Sequence, residues 1–200
     1  MRQRQSPHRS CRALRLCGQA NLFGVIRSLV SQGSGGPEVE ACKKTLTGRL
    51  DALARAHSLA TESRWRSIDL HALAAATLEP YATGREGAIE IDGEPLPLEA
   101  RRALSLSLTL HELATNSVKY GALSAAQGKM RLTRRTVRDE AGSHAELAWE
   151  ERGGPAVRPP ERRGFGTKLI DRVFEYELEG GAEIDFRPEG LRVRAWFPIS

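Results

Sequence analysis

Cysteine is scarce in this chain, with three in 200 residues: Cys11, Cys17 and Cys42. The number is odd and the spacing fits no metal-ligand pattern. A disulfide framework and a cysteine-based zinc module are therefore not expected, and the usage suits a reducing, cytoplasmic compartment. Long apolar runs are also missing. Hydrophobic residues make up 40% of the sequence, an ordinary share for a soluble globular chain, yet no run approaches the length that spans a bilayer, so no membrane segment is expected. Acidic residues are absent from residues 1–20, which carry Arg2, Arg4, Arg9, Arg12 and Arg15. Without those five arginines, 25 basic residues balance 25 acidic ones, so the formal charge of +5 belongs to the tail. No basic face with interleaved aromatics remains to favour nucleic acid as a partner. The tail has no apolar core of a secretory signal, and its apolar residues keep no amphipathic period. Residues 1–20 are expected to be a disordered basic tail.

What is present begins with a helical hairpin over residues 21–66. Apolar residues at 22, 25, 26, 29 and 30 form one stripe, and Gly33-Ser-Gly-Gly-Pro37 breaks it. Val39, Leu46, Leu50, Leu53, Ala54 and Leu59 then step by threes, fours and sevens to Ala60. Two such helices cannot cover both stripes alone, and pairing with a second copy as a four-helix bundle is the simplest remedy. From residue 67 to 200 helices and strands interleave. Asp69–Leu78 is expected to be helical, capped by Ser67 or Asp69 and stopped before Pro80. Ala88–Asp92 alternates as a strand. Met130–Val137 and Ala145–Glu150 read as an antiparallel pair, Phe165–Leu178 as a helix, and Ala182–Phe186 with Leu191–Phe197 as a closing hairpin. The expectation is an α+β chain: a dimerising two-helix hairpin, then an α/β sandwich whose mixed sheet is covered by helices on one face.

The densest chemistry lies in Leu108–Leu123. Leu104, Leu106, Leu108 and Leu110 alternate as a strand would, but length and the continuing spacing through Tyr120 favour helix. At roughly 100° per residue, Glu112, Asn116 and Lys119 fall on one side, away from a stripe of Leu106, Leu110, Leu113 and Ser117. An amide oxygen for a hard cation, an ammonium for phosphate and a carboxylate for a proton suit a magnesium triphosphate. A merely solvated polar face fits the same spacing. Further on, Leu147-Ala-Trp-Glu-Glu-Arg-Gly-Gly-Pro155 reads as a strand entering a glycine turn, and Arg163-Gly-Phe-Gly-Thr-Lys-Leu-Ile170 as a glycine pair opening a helix near Thr167.

These three elements, in this order, resemble the N, G1 and G2 boxes of the ATP-binding domain of histidine kinases. They resemble most the HWE family, named for a histidine in the N box and a Trp-x-Glu in the G1 box, here His111, Trp149 and Glu151. The resemblance implies a GHKL-type ATP-binding domain over 67–200, with ATP and Mg2+ as cofactors. It implies that Asn116 holds magnesium, that Lys119 touches a phosphate and that Tyr120 lines the pocket. Glu112 would be the general base or orient a water; His111 would either reach the site or serve packing. Glu151 would accept the adenine amino proton, with Gly153 and Gly154 giving the backbone a close approach to the base. Trp149 fits either core or site. Gly164, Gly166, Thr167 and Lys168 would form the phosphate site at a helix start, with Arg162 and Arg163 adding charge and 156–163 acting as a lid. The implied function is an ATP-dependent protein-histidine kinase core of a two-component system, cytoplasmic and homodimeric, with a response-regulator receiver domain as partner.

One part departs from the pattern. The family's acceptor motif is His-Arg-x-Lys-Asn; setting its asparagine on Asn21 puts Cys17, Gly18 and Ala20 where histidine, arginine and lysine belong. His8 precedes any plausible helix, and His57 in the second helix reads as a packing or surface residue. A misassigned start, a truncation or a genuine loss would each produce this, and a dimeric ATP-binding relative unable to phosphorylate itself is the alternative reading.

Overall fold

Alanine sets how the hairpin lies against the rest of the molecule. In the computed structural model, which describes residues 22–32, 35–82, 84–139, 142–157 and 165–199, a first helix, α1, covers 22–32. The second, α2, spans Pro37–Glu62, opening on an extended Gly36 with Pro37 at its first position. Arg27 pairs with Asp51 at 3.4 Å, and the Phe23 and His57 rings meet at 5.5 Å, so the two helices run antiparallel. Ala52, Ala56 and Ala60 are fully buried at i, i+4 spacing, where their small side chains let α2 press onto the helices Leu70–Ala82 and Ala100–Tyr120. Of the stripe expected on α2, Val39 and Leu46 are exposed, Leu50, Leu53 and Ala54 are partly buried, and Leu59 packs against the core. The basic tail, with Cys17 and His8, lies outside the described residues.

Past the hairpin, Ser67–Asp69 (β1) pairs antiparallel with Pro97–Glu99 (β3). Neither strand is long enough to register as a periodic pattern, and sequence reading missed both. Asp69 is the hub here. Its carboxylate accepts the backbone N–H groups of His71 and Ala72, and that of Leu96 at 3.0 Å. This caps α3, Leu70–Ala82, as the sequence suggested for one of two candidates. The expected stop before Pro80 is wrong, since α3 carries Pro80 inside its last turn. Tyr81 holds that turn in place from beyond the proline, its hydroxyl bonded to His111 and Thr115 of the long helix.

The main sheet has the order β2-β4-β5-β7-β6. Ile89–Gly93 (β2) runs parallel to Lys129–Asp139 (β4). Gly142–Arg152 (β5), Gly181–Arg187 (β6) and Gly190–Pro198 (β7) complete it with antiparallel pairings. Ala145, Leu147, Trp149 and Glu151 alternate inward on β5. Across them lies α4, Ala100–Tyr120, so the period-two leucines are helical, and Leu106, Leu110 and Leu113 enter the core with Phe174 and Phe197. The opposite sheet face carries paired charges such as Arg192 with Glu150 and Arg131 with Asp92. A mixed sheet with helices on one face is therefore the observed architecture. Helix α5, Phe165–Arg172, widens into a π-type turn over Val173–Glu177, closed by the Leu178 N–H on the Val173 carbonyl at 2.9 Å. No helix among the described residues is long and apolar enough to cross a membrane.

Candidate functional site

A cavity of about 410 Å³ opens beside the C-terminal half of α4. Glu112, Asn116, Lys119 and Tyr120 line it from α4, Glu151 from the end of β5, and Gly166 and Thr167 from the first turn of α5. These residues, up to 55 positions apart in the sequence, thus meet in one concavity. Ile170, Ile184, Phe186 and Leu191 give it an apolar wall next to Glu151. The lining thus combines an apolar group and a buried carboxylate with an amide, a second carboxylate and a helix start, the last three meeting where Gly166 comes close to Asn116 and Glu112.

Glu151 is 3% exposed, and both its carboxylate oxygens are held. The Trp149 indole N–H donates to Oε1 at 2.9 Å, and the Ala122 backbone N–H donates to Oε2 at 2.7 Å. Trp149 and Glu151 sit two apart on one strand and so face the same side. Trp149 is core, 2% exposed, and also aims the acid. Each carboxylate oxygen keeps a second lone pair for a donor arriving from the cavity. Gly121, which sequence reading passed over, makes this possible. A Cβ there would stand 2.0 Å from Glu151 Oε2.

The two glycines after β5 work differently from the expectation. Gly153, at φ 72°, turns the chain, and a Cβ on Gly154 would collide with Ala122 at 2.6 Å. Neither lines the cavity; they seat the strand end on the segment after α4. Arg85 clamps that segment from the other side, donating to the carbonyls of Leu123 and Ala125 and to that of Gly128 at 3.4 Å.

Glu112 departs from the solvated polar face its spacing allowed. It is 7% exposed, because α2 covers that side of α4, and Arg49 Nε donates to its Oε1 at 2.6 Å. Thr45 and Arg49, one turn apart on α2, both line the cavity. Sequence reading assigned neither to the site, and a partner 63 residues away leaves no local trace. Asn116 is half-buried, and a Cβ on Gly166 would come within 3.2 Å of its amide nitrogen. Gly166 lies inside the first turn of α5 rather than ahead of it, the helix beginning at Phe165. Lys119 and Tyr120 stand exposed at the mouth, Tyr120 at 71%. Lys168 is exposed and not among the lining residues. Gly164, Arg162, Arg163 and most of the expected lid lie outside the described residues.

His111 is buried but does not line the cavity. Its Nδ1 is 2.6 Å from the Tyr81 hydroxyl, which is 3.0 Å from Thr115 Oγ1. Burial lowers the pKa of His111; the nearby Glu112 charge opposes this, and Arg55 and Arg49 reinforce it. Burial likewise raises the Tyr81 hydroxyl above its ordinary value. A Cβ on Gly48 of α2 would stand 3.0 Å from His111 Nε2. The histidine therefore sits where α2, α3 and α4 converge. Among the described residues no cluster of three or more His, Cys, Asp or Glu side chains could hold a metal ion.

The sequence profile of the family described as HWE histidine kinase matches residues 19–95. The blue-light-activated histidine kinase of Brucella ovis is 31% identical over 181 residues, which are 90% of this chain and 37% of that protein. Its Brucella anthropi counterpart is 32% identical over the same share. The chain thus spans about 37% of the length of the curated relatives it matches. Among solved structures, the histidine kinase domain of the Erythrobacter litoralis EL346 blue-light activated histidine kinase superposes with a TM-score of 0.62 at 15% identity, covering 90% of this chain and 94% of that one. The catalytic domain of histidine kinase ThkA superposes with a TM-score of 0.51 at 17% identity, covering 66% of this chain and 94% of that one.

Proposed function

The chain belongs to the HWE histidine kinase family, and on that premise we propose that the cavity beside α4 binds Mg-ATP and serves phosphoryl transfer to a histidine. The observation that carries this is the immobilised Glu151 carboxylate beside the apolar wall of the cavity. Only an acceptor can read an adenine amino group, and the wall of Ile170, Ile184 and Phe186 suits the faces of a planar base. The side where Gly166 nears Asn116 and Glu112 suits phosphate. The N–H groups of the α5 start at Gly166 and Thr167 favour anions, and Lys119 at the mouth adds a point charge.

Magnesium fits this donor set through phosphate oxygens and water, because it seldom takes an all-protein cage. Asn116 would be its protein ligand through the amide oxygen. When bound, the ion supplies charge neutralisation at the terminal phosphates. Transfer breaks the bond between the γ-phosphorus and the bridging oxygen and forms one to a ring nitrogen of an acceptor histidine, which gives up its proton. Glu112 is the carboxylate on that side and the candidate to accept the proton or hold a water. His111 acts from behind, fixing the part of α4 that carries Glu112. A response-regulator receiver domain would take the phosphoryl group onward, and a second copy of the chain would pair through the hairpin.

ATP titration by calorimetry, with and without magnesium, checks the site. Binding should require Glu151, deepen with magnesium and lose that deepening in Asn116→Ala. Absent binding, or indifference to Asn116→Ala, would overturn the reading.

A second reading rests on Cys17, which stands at the acceptor position and lies outside the described residues. A thiolate cannot supply the nitrogen–phosphorus linkage, so the chain would bind ATP yet acquire little acid-labile, base-stable phosphate. Cys17→His, Gly18→Arg, Gln19→Val and Ala20→Lys together should then restore it. Robust phosphohistidine on the unaltered chain, at His8, His57 or His111, excludes this second reading.

A further inference from the structure

The hairpin helix reaches into the cavity, where Thr45 and Arg49 line it together with Glu112, Asn116 and Gly166. Two neighbouring rungs join α2 to α4. Gly48 faces His111 so closely that a Cβ would stand 3.0 Å from Nε2, and the next residue, Arg49, pairs with the next residue of α4, Glu112, at 2.6 Å. The first rung sets the spacing and the second uses it. His111 cannot swing away to admit a larger residue, because Tyr81 holds its other nitrogen. Arg49 is therefore delivered to the site by packing. Its side chain is 24% exposed, that of Glu112 is 9% exposed, and both line the cavity together with Asn116 and Gly166.

Resting on the nucleotide reading above, we propose that Arg49 is a nucleotide-binding residue supplied by the hairpin, its guanidinium bridging the Glu112 carboxylate and the terminal phosphate of ATP. A triphosphate entering between Asn116 and Gly166 brings several negative charges next to a buried carboxylate. Without a cation between them, the two anions repel across a wall that screens poorly. A guanidinium presents a planar fork of donors that can serve a carboxylate and a phosphate at once, and it stays charged at every physiological pH. The third phosphate is the one nearest Glu112, so the contact distinguishes ATP from ADP. It also ties occupancy to the hairpin's position: any movement that withdraws α2 removes the cation from the phosphates.

The test measures dissociation constants of the full chain for ATP and for ADP, each with magnesium, in the unaltered protein, Arg49→Lys and Arg49→Ala. Arg49→Ala should weaken ATP about tenfold, equivalent to about 1.4 kcal/mol, while ADP changes by less than about twofold. Arg49→Lys keeps the charge but not the fork and should fall between. Equal losses for both nucleotides, or an unchanged ratio, would make Arg49 a structural latch and overturn the inference while leaving the ATP site standing. If the unaltered chain bound neither nucleotide, the site reading and this inference would fall together. Should Arg49→Ala fail to fold, the ATP-to-ADP ratio of Arg49→Lys decides: a lowered ratio supports the contact and an unchanged one refutes it.

Discussion

Glu151 shows how one acidic side chain is fixed in place by its neighbours. Its oxygens are held by the Trp149 indole and the Ala122 amide, and Gly121 leaves the space that Oε2 occupies. In Gly121→Ala the added methyl would overlap that oxygen, so the acid or the segment after α4 must shift. ATP affinity should fall by more than tenfold, with a stability loss of about 1–3 kcal/mol as a buried acceptor loses its donor. Calorimetry and thermal melts would register both, and a neutral outcome would mean that Glu151 is not fixed as described. Trp149→Phe removes the indole donor and also leaves a cavity in the core, so it should lower both ATP affinity and stability. His111 gives a pH signature. Its unfolded ring titrates near about 6.5 and its folded ring lower. Between those values the unfolded chain binds more protons, so this group's stabilisation is complete above about 6.5 and declines as pH falls toward the folded pKa. Glu112 from α4, Arg49, Asp51 and Arg55 from α2, and Tyr81 from α3 surround it. Melting temperatures near pH 8 and near pH 5.5 should therefore differ more in the unaltered chain than in His111→Gln, where that titration is gone. At this scale Glu112, Asn116 and Glu151, which line one cavity, could be singled out from spacing and resemblance. Arg49 and Gly121 could not, since their importance comes from partners 63 and 30 positions away.

Elements were readable where they were long. The 21-residue α4 could be read from its length and continuing spacing, with the family resemblance in support, despite its alternating leucines. The three-residue strands β1 and β3 did not, because a single turn of alternation carries no period. Pro80 was misread for a physical reason. A proline inside the last turn forfeits one backbone hydrogen bond, and here the Tyr81 hydroxyl, bonded to His111 and Thr115, ties that turn to α4. The turn joining α2 to β1 was hidden differently: Arg64 and Trp65 adopt φ of 56° and 60° without a glycine to mark them. The Trp65 N–H on the Ala60 carbonyl at 2.7 Å and the His57 ring 5.1 Å from the indole hold them there. The tight crossing of α2 over α4 yields a prediction of its own. Gly48→Leu would gain helix propensity in isolation, but the side chain must push against a histidine that cannot retreat. It should lower the melting temperature by several degrees, about 1–3 kcal/mol for an overpacked contact, and loosen ATP binding through Arg49. A rise in melting temperature would show that α2 does not pack on His111 as closely as the geometry requires.

At the scale of the whole molecule, the hairpin spends one face and leaves another. Ala52, Ala56 and Ala60 are used against α3 and α4. Leu22, Val25 and Leu29 on α1 are 56%, 48% and 64% exposed at i, i+3 and i+7, and Val39 and Leu46 on α2 are 44% and 41% exposed seven apart. A recurrence of that kind is a helix–helix seam, and five large apolar side chains left in water are costly at about 25 cal/mol per Å². A second copy presents the same seam, and a two-fold pairing of two hairpins closes a four-helix bundle with no apolar face left over. The full chain should therefore be a dimer by light scattering. Deleting the hairpin is a poor test, because it also strips the alanine contacts and Arg49 from the site and so confuses assembly with folding. Leu29→Glu combined with Leu46→Glu is the cleaner one. Both positions are exposed, so residues 67–200 should keep their melting transition and their ATP affinity while the mass falls to that of a monomer. A double variant that stays dimeric would place the interface elsewhere; one that loses ATP binding would mean that the bundle and the nucleotide site are coupled through α2, the helix that carries both Leu46 and Arg49.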